Sequence, residues 1–125
     1  MSFSGLKTAV INLVHNAEQK GEEIDRAALA ASFTKAVSDS LVPRTMQAAA
    51  ELGRDKIVIA GGVAANSRIR ADFQKAAAAH GLQLFIPPLK LCGDNGAMIG
   101  AQAYYEYLAG VRAGSDLNAY ATMDL

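Results

Sequence analysis

Apolar residues recur at helical spacing through the first half of the chain and condense into two short runs in the second half. Leu6, Val10, Leu13 and Val14 share one helical face, which predicts a helix from Gly5 or Leu6 to about Ala17, with Ser4 as its cap. Gln19 to Glu23 reads as a charged linker containing a glycine. Asp25 is a good N-cap for a second helix that turns Leu29, Phe33, Ala36, Val37 and Leu41 inward. Pro43 removes an N–H and crowds the preceding turn, so this helix is expected to kink or break near Leu41-Val42. A continuation from about Arg44 to Leu52 then ends at Gly53.

Lys56 to Ala60 is a continuous run rich in β-branched residues, which predicts a buried parallel strand. Asn66 or Ser67 opens a third helix using Ile69, Phe73 and the Ala76–Ala79 tract, and Gly81 stops it. Leu82 to Ile86 is a second strand, ended by Pro87-Pro88. Lys90 to Asn95 is a loop, with Asp94 or Asn95 capping a last helix through Ala97, Met98, Ala101, Tyr104, Tyr105 and Leu108, terminated by Gly110 or Gly114. The order α-α-β-α-β-α describes a helix-rich α/β chain with one βαβ unit and a small parallel sheet. Parallel strands normally belong to larger sheets covered on both faces, so the chain is expected to be part of something larger.

The 125 residues fit one domain, 1–125, with 115–125 as an irregular tail. Twelve basic and twelve acidic residues leave no net charge, so composition points to neither nucleic acid nor membrane. No apolar run approaches the roughly 18–20 residues of a spanning helix, and the start has no signal-peptide core. Cys92 is the single cysteine, which excludes an intrachain disulfide and fits a reducing, cytoplasmic setting.

Candidate chemistry lies in two places. The run Ile57-Val58-Ile59-Ala60-Gly61-Gly62 followed by Asn66-Ser67 places small residues and a helix N-terminus where a nucleotide or anion can approach the main chain. The same pattern serves equally as a tight βα turn with Asn66 as an ordinary cap. It matches neither the dinucleotide fingerprint nor the P-loop. Asp94, at a loop-to-helix junction, reads either as an N-cap or as a carboxylate facing a cleft and a divalent metal. His15 and His80 lack metal-ligand spacing with it or with each other, so further ligands would come from outside the chain. Cys92 reads as a small buried hydrophobe and not as a nucleophile. Tyr104, Tyr105 and Tyr107 pack along or line the exposed edge of the last helix. Arg68 and Arg70 are solvated bases by default, or phosphate contacts near the glycine turn.

Three segments in order carry a family resemblance: Ser2-Phe3-Ser4-Gly5-Leu6-Lys7-Thr8-Ala9-Val10, Ala60-Gly61-Gly62-Val63-Ala64-Ala65-Asn66-Ser67-Arg68, and Pro87-Pro88-Leu89-Lys90-Leu91-Cys92-Gly93-Asp94-Asn95-Gly96-Ala97-Met98-Ile99. Together they resemble the TsaD (YgjD/Gcp) family of tRNA threonylcarbamoyladenosine transferases, formerly called O-sialoglycoprotein endopeptidases. The resemblance covers nearly the whole chain and implies part of the C-terminal lobe of the actin/Hsp70/sugar-kinase (ASKHA) fold. It implies transfer of a threonylcarbamoyl group from its adenylate to an adenosine next to the tRNA anticodon. By the same resemblance Asn66, with Gly61 and Gly62, holds an adenine nucleotide or threonylcarbamoyl adenylate. Asp94 matches the aspartate that ligates iron or zinc, where a metal acts as a Lewis acid. The implied partners are tRNA and the companion proteins TsaB and TsaE. Ser4 and Lys7 lie in a family motif without an assigned role. The chain has Gly93-Asp94-Asn95-Gly96 where the family usually has Thr-Asp-Asn-Ala, and Pro43 interrupts a helix the family usually leaves whole.

The family's histidine pair and its phosphate-binding half are not among these residues, so the chain looks like the C-terminal third of such a protein. The resulting expectation is a portion of the transferase that is inactive alone and holds metal weakly. A different class of reading is a non-catalytic nucleotide-binding or assembly module, associating with itself through surfaces the other lobe would cover. A metallo-endopeptidase rests only on the older family name, since neither a protease nucleophile nor a zinc-protease motif is visible.

Overall fold

The computed structural model describes residues 3–119. Helix α1 spans Ser4–Lys20, α2 Arg26–Glu51, α3 Ser67–Ala79 and α4 Gly96–Leu108. Strands β1 (Lys56–Val58) and β2 (Gln83–Phe85) pair in parallel, with Lys56 opposite Gln83, Ile57 opposite Leu84 and Val58 opposite Phe85. Single 3₁₀ turns, Gly62–Ala65 and Leu89–Leu91, come after the two strands. The helix-rich α/β arrangement with a small parallel sheet is the one the periodicity predicts.

Three local expectations change. Phe3, not Ser4, occupies the position before α1, and its own side chain makes no cap hydrogen bond. Ser4 is already helical, and its carbonyl accepts a 3.0 Å hydrogen bond from the Thr8 hydroxyl. The expected linker begins late, because Glu18, Gln19 and Lys20 are good helix formers that extend α1 until Gly21. Gly21 adopts φ 68°, and the Glu22 N–H then closes on the Ala17 carbonyl at 2.9 Å.

The third change is at Pro43, which lies inside an unbroken 26-residue α2. Proline leaves the Asp39 carbonyl without its helical donor. The helix nevertheless continues because Val37, Val42, Met46 and Ala49 bury one face across the interruption, while Pro43 is exposed. Burial on both sides of the proline outweighs one missing hydrogen bond. Asp25 caps α2 as expected, accepting from the Ala27 and Ala28 N–H groups at 2.9 and 3.0 Å.

The core joins that face of α2 to Ile69 and Phe73 of α3 and to Ile57 of β1. A polar tie sits beside it. The buried Ser38 hydroxyl of α2 donates to Asp72 of α3 at 2.7 Å, and Asp72 also accepts from Arg68 Nε at 2.7 Å. These two hydrogen bonds, the serine's first, hold the Asp72 carboxyl below its ordinary range.

The strands are not buried on both faces, contrary to the expectation from their apolar runs. Ile57 is 8% exposed but its neighbour Val58 is 72% exposed, and Phe85 is exposed too. Alternation puts Ile57 and Leu84 toward α3, and no described element covers the other face. Helix α4 is likewise unburied along its length, exposing Met98, Ile99, Tyr104, Tyr105 and Leu108. Tyr104 and Tyr105 meet edge to face, and the Arg112 guanidinium lies 4.0 Å over Tyr107. Gly110 (φ 79°) ends α4, and residues up to 119 form no further helix or strand. The rest of the anticipated tail, 120–125, lies outside the described residues. Among the described residues no helix is long and apolar enough to cross a membrane.

Two measurements check these contacts. Pro43→Ala restores the missing N–H at an exposed site and is expected to raise unfolding stability by about 2 kcal/mol, read from the urea midpoint. An unchanged midpoint would show that the helix had already absorbed the defect. Because the folded Asp72 value is depressed, its stabilisation is full above the unfolded carboxylate value and is lost as pH falls through the folded value. Asp72→Asn should therefore flatten the stability profile below about pH 4 and leave its shape near neutrality unchanged.

Candidate functional site

The sheet ends where the Ile59 N–H donates to the Phe85 carbonyl at 2.9 Å. From there the two chains diverge into loops that form the walls of a cleft. On the first wall Gly61 adopts φ 87° and ψ 170°, a conformation that glycine takes without steric cost. Its carbonyl accepts from the Ala64 N–H at 3.0 Å, starting the 3₁₀ turn. The turn hands over to α3 at Asn66, whose extended backbone (φ −67°, ψ 119°) suits an N-cap. Asn66 Oδ1 accepts from the Arg68 and Ile69 N–H groups at 3.0 and 3.2 Å. The cap therefore occupies the amide oxygen, and Asn66 Nδ2 has no hydrogen-bond partner among the described residues.

On the second wall Pro87-Pro88 ends β2, and the chain turns through Leu89–Leu91 to the buried Cys92. Asn95 ties this loop to the start of α4. Its Nδ2 donates to the Leu91 and Gly93 carbonyls at 3.3 and 2.9 Å, and its Oδ1 accepts from the Met98 N–H at 3.0 Å. Of the two candidate caps for α4, Asn95 is the one used. The Asp94 carboxylate is left exposed, with no hydrogen-bond partner among the described residues. It stands at the positive end of the α4 dipole, where negative charge is favoured.

The cleft between these walls has a volume of about 750 Å³. Val58, Phe85 and Met98 give it an apolar floor, and Gly61, Gly62 and Asp94 stand along it. The structure thus brings the glycine pair and Asp94 to one recess. Asn66 is not in it. It lines a neighbouring groove of about 500 Å³ with Phe33, Val37 and Val63, and Gly62 borders both.

Among the described residues no three His, Cys, Asp or Glu side chains cluster as a metal site. His15 lies on α1 with its Nε2 3.0 Å from Gln19 Nε2, and His80 sits at the end of α3, so neither accompanies Asp94. The described residues offer a metal at Asp94 one ligand and not a complete set.

The two arginines beside the glycine turn are engaged with the protein itself. Arg68 pairs with Asp72 on the helix surface. Arg70 reaches the other way: Nη1 donates to the Ala64 carbonyl at 2.9 Å and Nη2 to the Pro87 carbonyl at 3.1 Å, with Cys92 Sγ 3.6 Å from Nη1. Cys92 is the small buried side chain its surroundings in the sequence suggest, 3% exposed. The Ser38–Asp72 tie and the reach of Arg70 were not legible in the sequence. Both join residues far apart in the chain, and no periodicity marks them.

The family model described as "TsaD: tRNA N6-adenosine threonylcarbamoyltransferase" matches residues 1–101. A Clostridium botulinum (strain 657 / Type Ba4) protein named tRNA N6-adenosine threonylcarbamoyltransferase is 49% identical, over 99% of this chain and 36% of its own length. The protein of that name from Moorella thermoacetica is 50% identical over the same shares. The one from Limosilactobacillus reuteri is 50% identical over 94% of this chain and 35% of its own length. The chain thus spans about a third of the curated relatives it matches.

The cap geometry separates two roles for Asn66. Asn66→Ala is expected to lose about 1 kcal/mol of unfolding stability through the cap alone, whereas Asn66→Asp keeps the acceptor oxygen and should match the wild type. Asp94→Asn should leave stability within about 0.5 kcal/mol, since no hydrogen bond among the described residues depends on that carboxylate. Equal thermal midpoints for Asn66→Ala and wild type would contradict the cap.

Proposed function

The chain belongs to the TsaD family, and on that footing we propose that it forms the C-terminal part of a tRNA threonylcarbamoyladenosine transferase. In this reading it is part of the C-terminal lobe of an ASKHA fold. It contributes to binding an adenine nucleotide or threonylcarbamoyl adenylate, the donor of the group transferred to a tRNA adenosine. One observation carries the proposal: the glycine turn after β1 and the uncommitted Asp94 carboxylate in the loop after β2 line the same apolar-floored cleft.

The chain's residues divide the work by their chemistry. Gly61 and Gly62 present main chain without side chains, so a sugar or phosphate can lie against them. Val58, Phe85 and Met98 supply apolar surface of the kind a base packs on. Asn66 lies in the adjoining groove that Gly62 also borders, and with its own oxygen closing the cap its Nδ2 is a donor for a ligand that extends past Gly62 into that groove. Asp94 supplies one oxygen toward iron or zinc, and the remaining ligands come from outside the described residues. Such a metal, when bound, supplies Lewis-acid polarisation of an acyl oxygen. The partners in this reading are tRNA, TsaB and TsaE, in the cytoplasm. The chain alone lacks the groups for turnover, and purified chain is expected to show neither transferase activity nor stoichiometric iron or zinc.

A second reading, a non-catalytic assembly module, draws on the exposed apolar face of the sheet and of α4. Large uncovered apolar surface favours association, with itself or with a partner. Sedimentation equilibrium separates the two: concentration-dependent self-association favours an assembly role, and a stable monomer at low concentration argues against it.

Calorimetric titration with AMP tests the nucleotide site. Wild type should bind, Asn66→Asp should fold normally and bind about tenfold more weakly through loss of the amide donor, and Asp94→Asn should bind metal-free AMP as wild type does. Absence of AMP binding by well-folded wild type would remove nucleotide binding from this chain's role.

A further inference from the structure

We infer that Arg70 is a positioning residue that sets the separation of the two cleft walls. Beyond the hydrogen bond from Ile59 to Phe85, no main-chain hydrogen bond joins the glycine turn to the loop carrying Asp94 among the described residues. The reason lies in the sequence: Pro87 and Pro88 have no N–H, so the second wall cannot extend the sheet ladder to the first. Each wall instead offers a carbonyl that needs a donor. Arg70 supplies both, with Nη1 on Ala64 of the first wall and Nη2 on Pro87 of the second.

The side chain is half-buried and leaves α3 one turn after its start, so it is fixed to the helix that fills the core. A planar guanidinium presents its donors in a rigid fork and so holds the two acceptors at a set distance. A lysine ammonium can reach one or the other carbonyl but imposes no fixed separation. Cys92 lies against the same guanidinium, and its sulfur is also 3.6 Å from the Pro88 carbonyl. The buried thiol therefore reports whether the second wall is seated. Among the described residues Gly61, Gly62 and Asp94 have no such tie of their own between the walls, so their spacing across the cleft is inherited from Arg70.

The test uses the whole chain, in which Cys92 is the only thiol. Its rate of reaction with a disulfide reagent such as DTNB is measured for wild type, Arg70→Lys and Arg70→Ala, alongside amide exchange of α2 and α3. The expected result is a rise of about tenfold or more in thiol reactivity for Arg70→Ala, a smaller rise for Arg70→Lys, and unchanged protection of the α2–α3 core. An unchanged reaction rate would overturn the inference. So would a rise accompanied by equal loss of protection across α2 and α3, since that reports global unfolding and not release of one wall. If Arg70→Ala does not fold, Arg70→Lys decides by the same two criteria.

A second readout rests on the nucleotide reading above: AMP affinity should fall in Arg70→Ala and recover in part in Arg70→Lys. Wild type that fails to bind AMP refutes that reading, and the thiol measurement still decides the role of Arg70. Normal AMP affinity in Arg70→Ala would overturn the positioning role.

Discussion

The burial of one face of α3 fixes the rest of the structure. Phe73 is 4% exposed and Ile69 3%, and with Ile57, Val42 and Met46 they form the main apolar cluster. The same helix is capped by Asn66, which ends the glycine loop, and carries Arg70 one turn on, reaching across to the proline loop. The position of the cleft walls is thus set by the packing of a helix that contributes no side chain to the cleft floor. Short loops on a packed scaffold hold their geometry better than long ones, because the scaffold limits the conformations open to them.

The sheet shows what one-sided burial does to function. Two parallel strands covered by α3 leave Val58 and Phe85 facing outward. In a protein that used the sheet only for stability, that face would be a liability. Here it forms the floor of the recess in which the glycine turn and Asp94 meet. An apolar floor, a wall without side chains and a single uncommitted carboxylate suit three different parts of one ligand: base, sugar-phosphate and cation. In the proposed reading, that ligand is the adenine nucleotide with its metal.

The order of elements, the parallel pairing and the stops at Gly53 and Gly81 were legible in the sequence, because each rests on periodicity or on local backbone chemistry. The last helix had two candidate stops, Gly110 and Gly114, and ends at Gly110. The features that were not legible depend on tertiary contact. Pro43 looks like a break until the buried residues on either side of it are known to face α3 and the core. An apolar run such as Ile57-Val58-Ile59 looks the same whether one face or two are covered. The sequence motifs singled out Gly61, Gly62, Asn66 and Asp94 together, whereas the structure places the glycines and Asp94 along one cleft and opens Asn66 onto the adjoining groove. Nor did the motifs distinguish Asp94 from Asn95 as the cap of α4, a choice made by the direction of one side-chain amide.

The central claim is that the glycine turn and the Asp94 loop are two walls of one ligand site. Chemical-shift mapping of ¹⁵N-labelled chain during addition of AMP tests it most directly. The two-wall site predicts that the amides of Gly61, Gly62 and the segment from Gly93 to Asn95 shift together along one binding curve, while those of α1 stay in place. Shifts confined to α1 or to the exposed face of α4, with both walls silent, would contradict it.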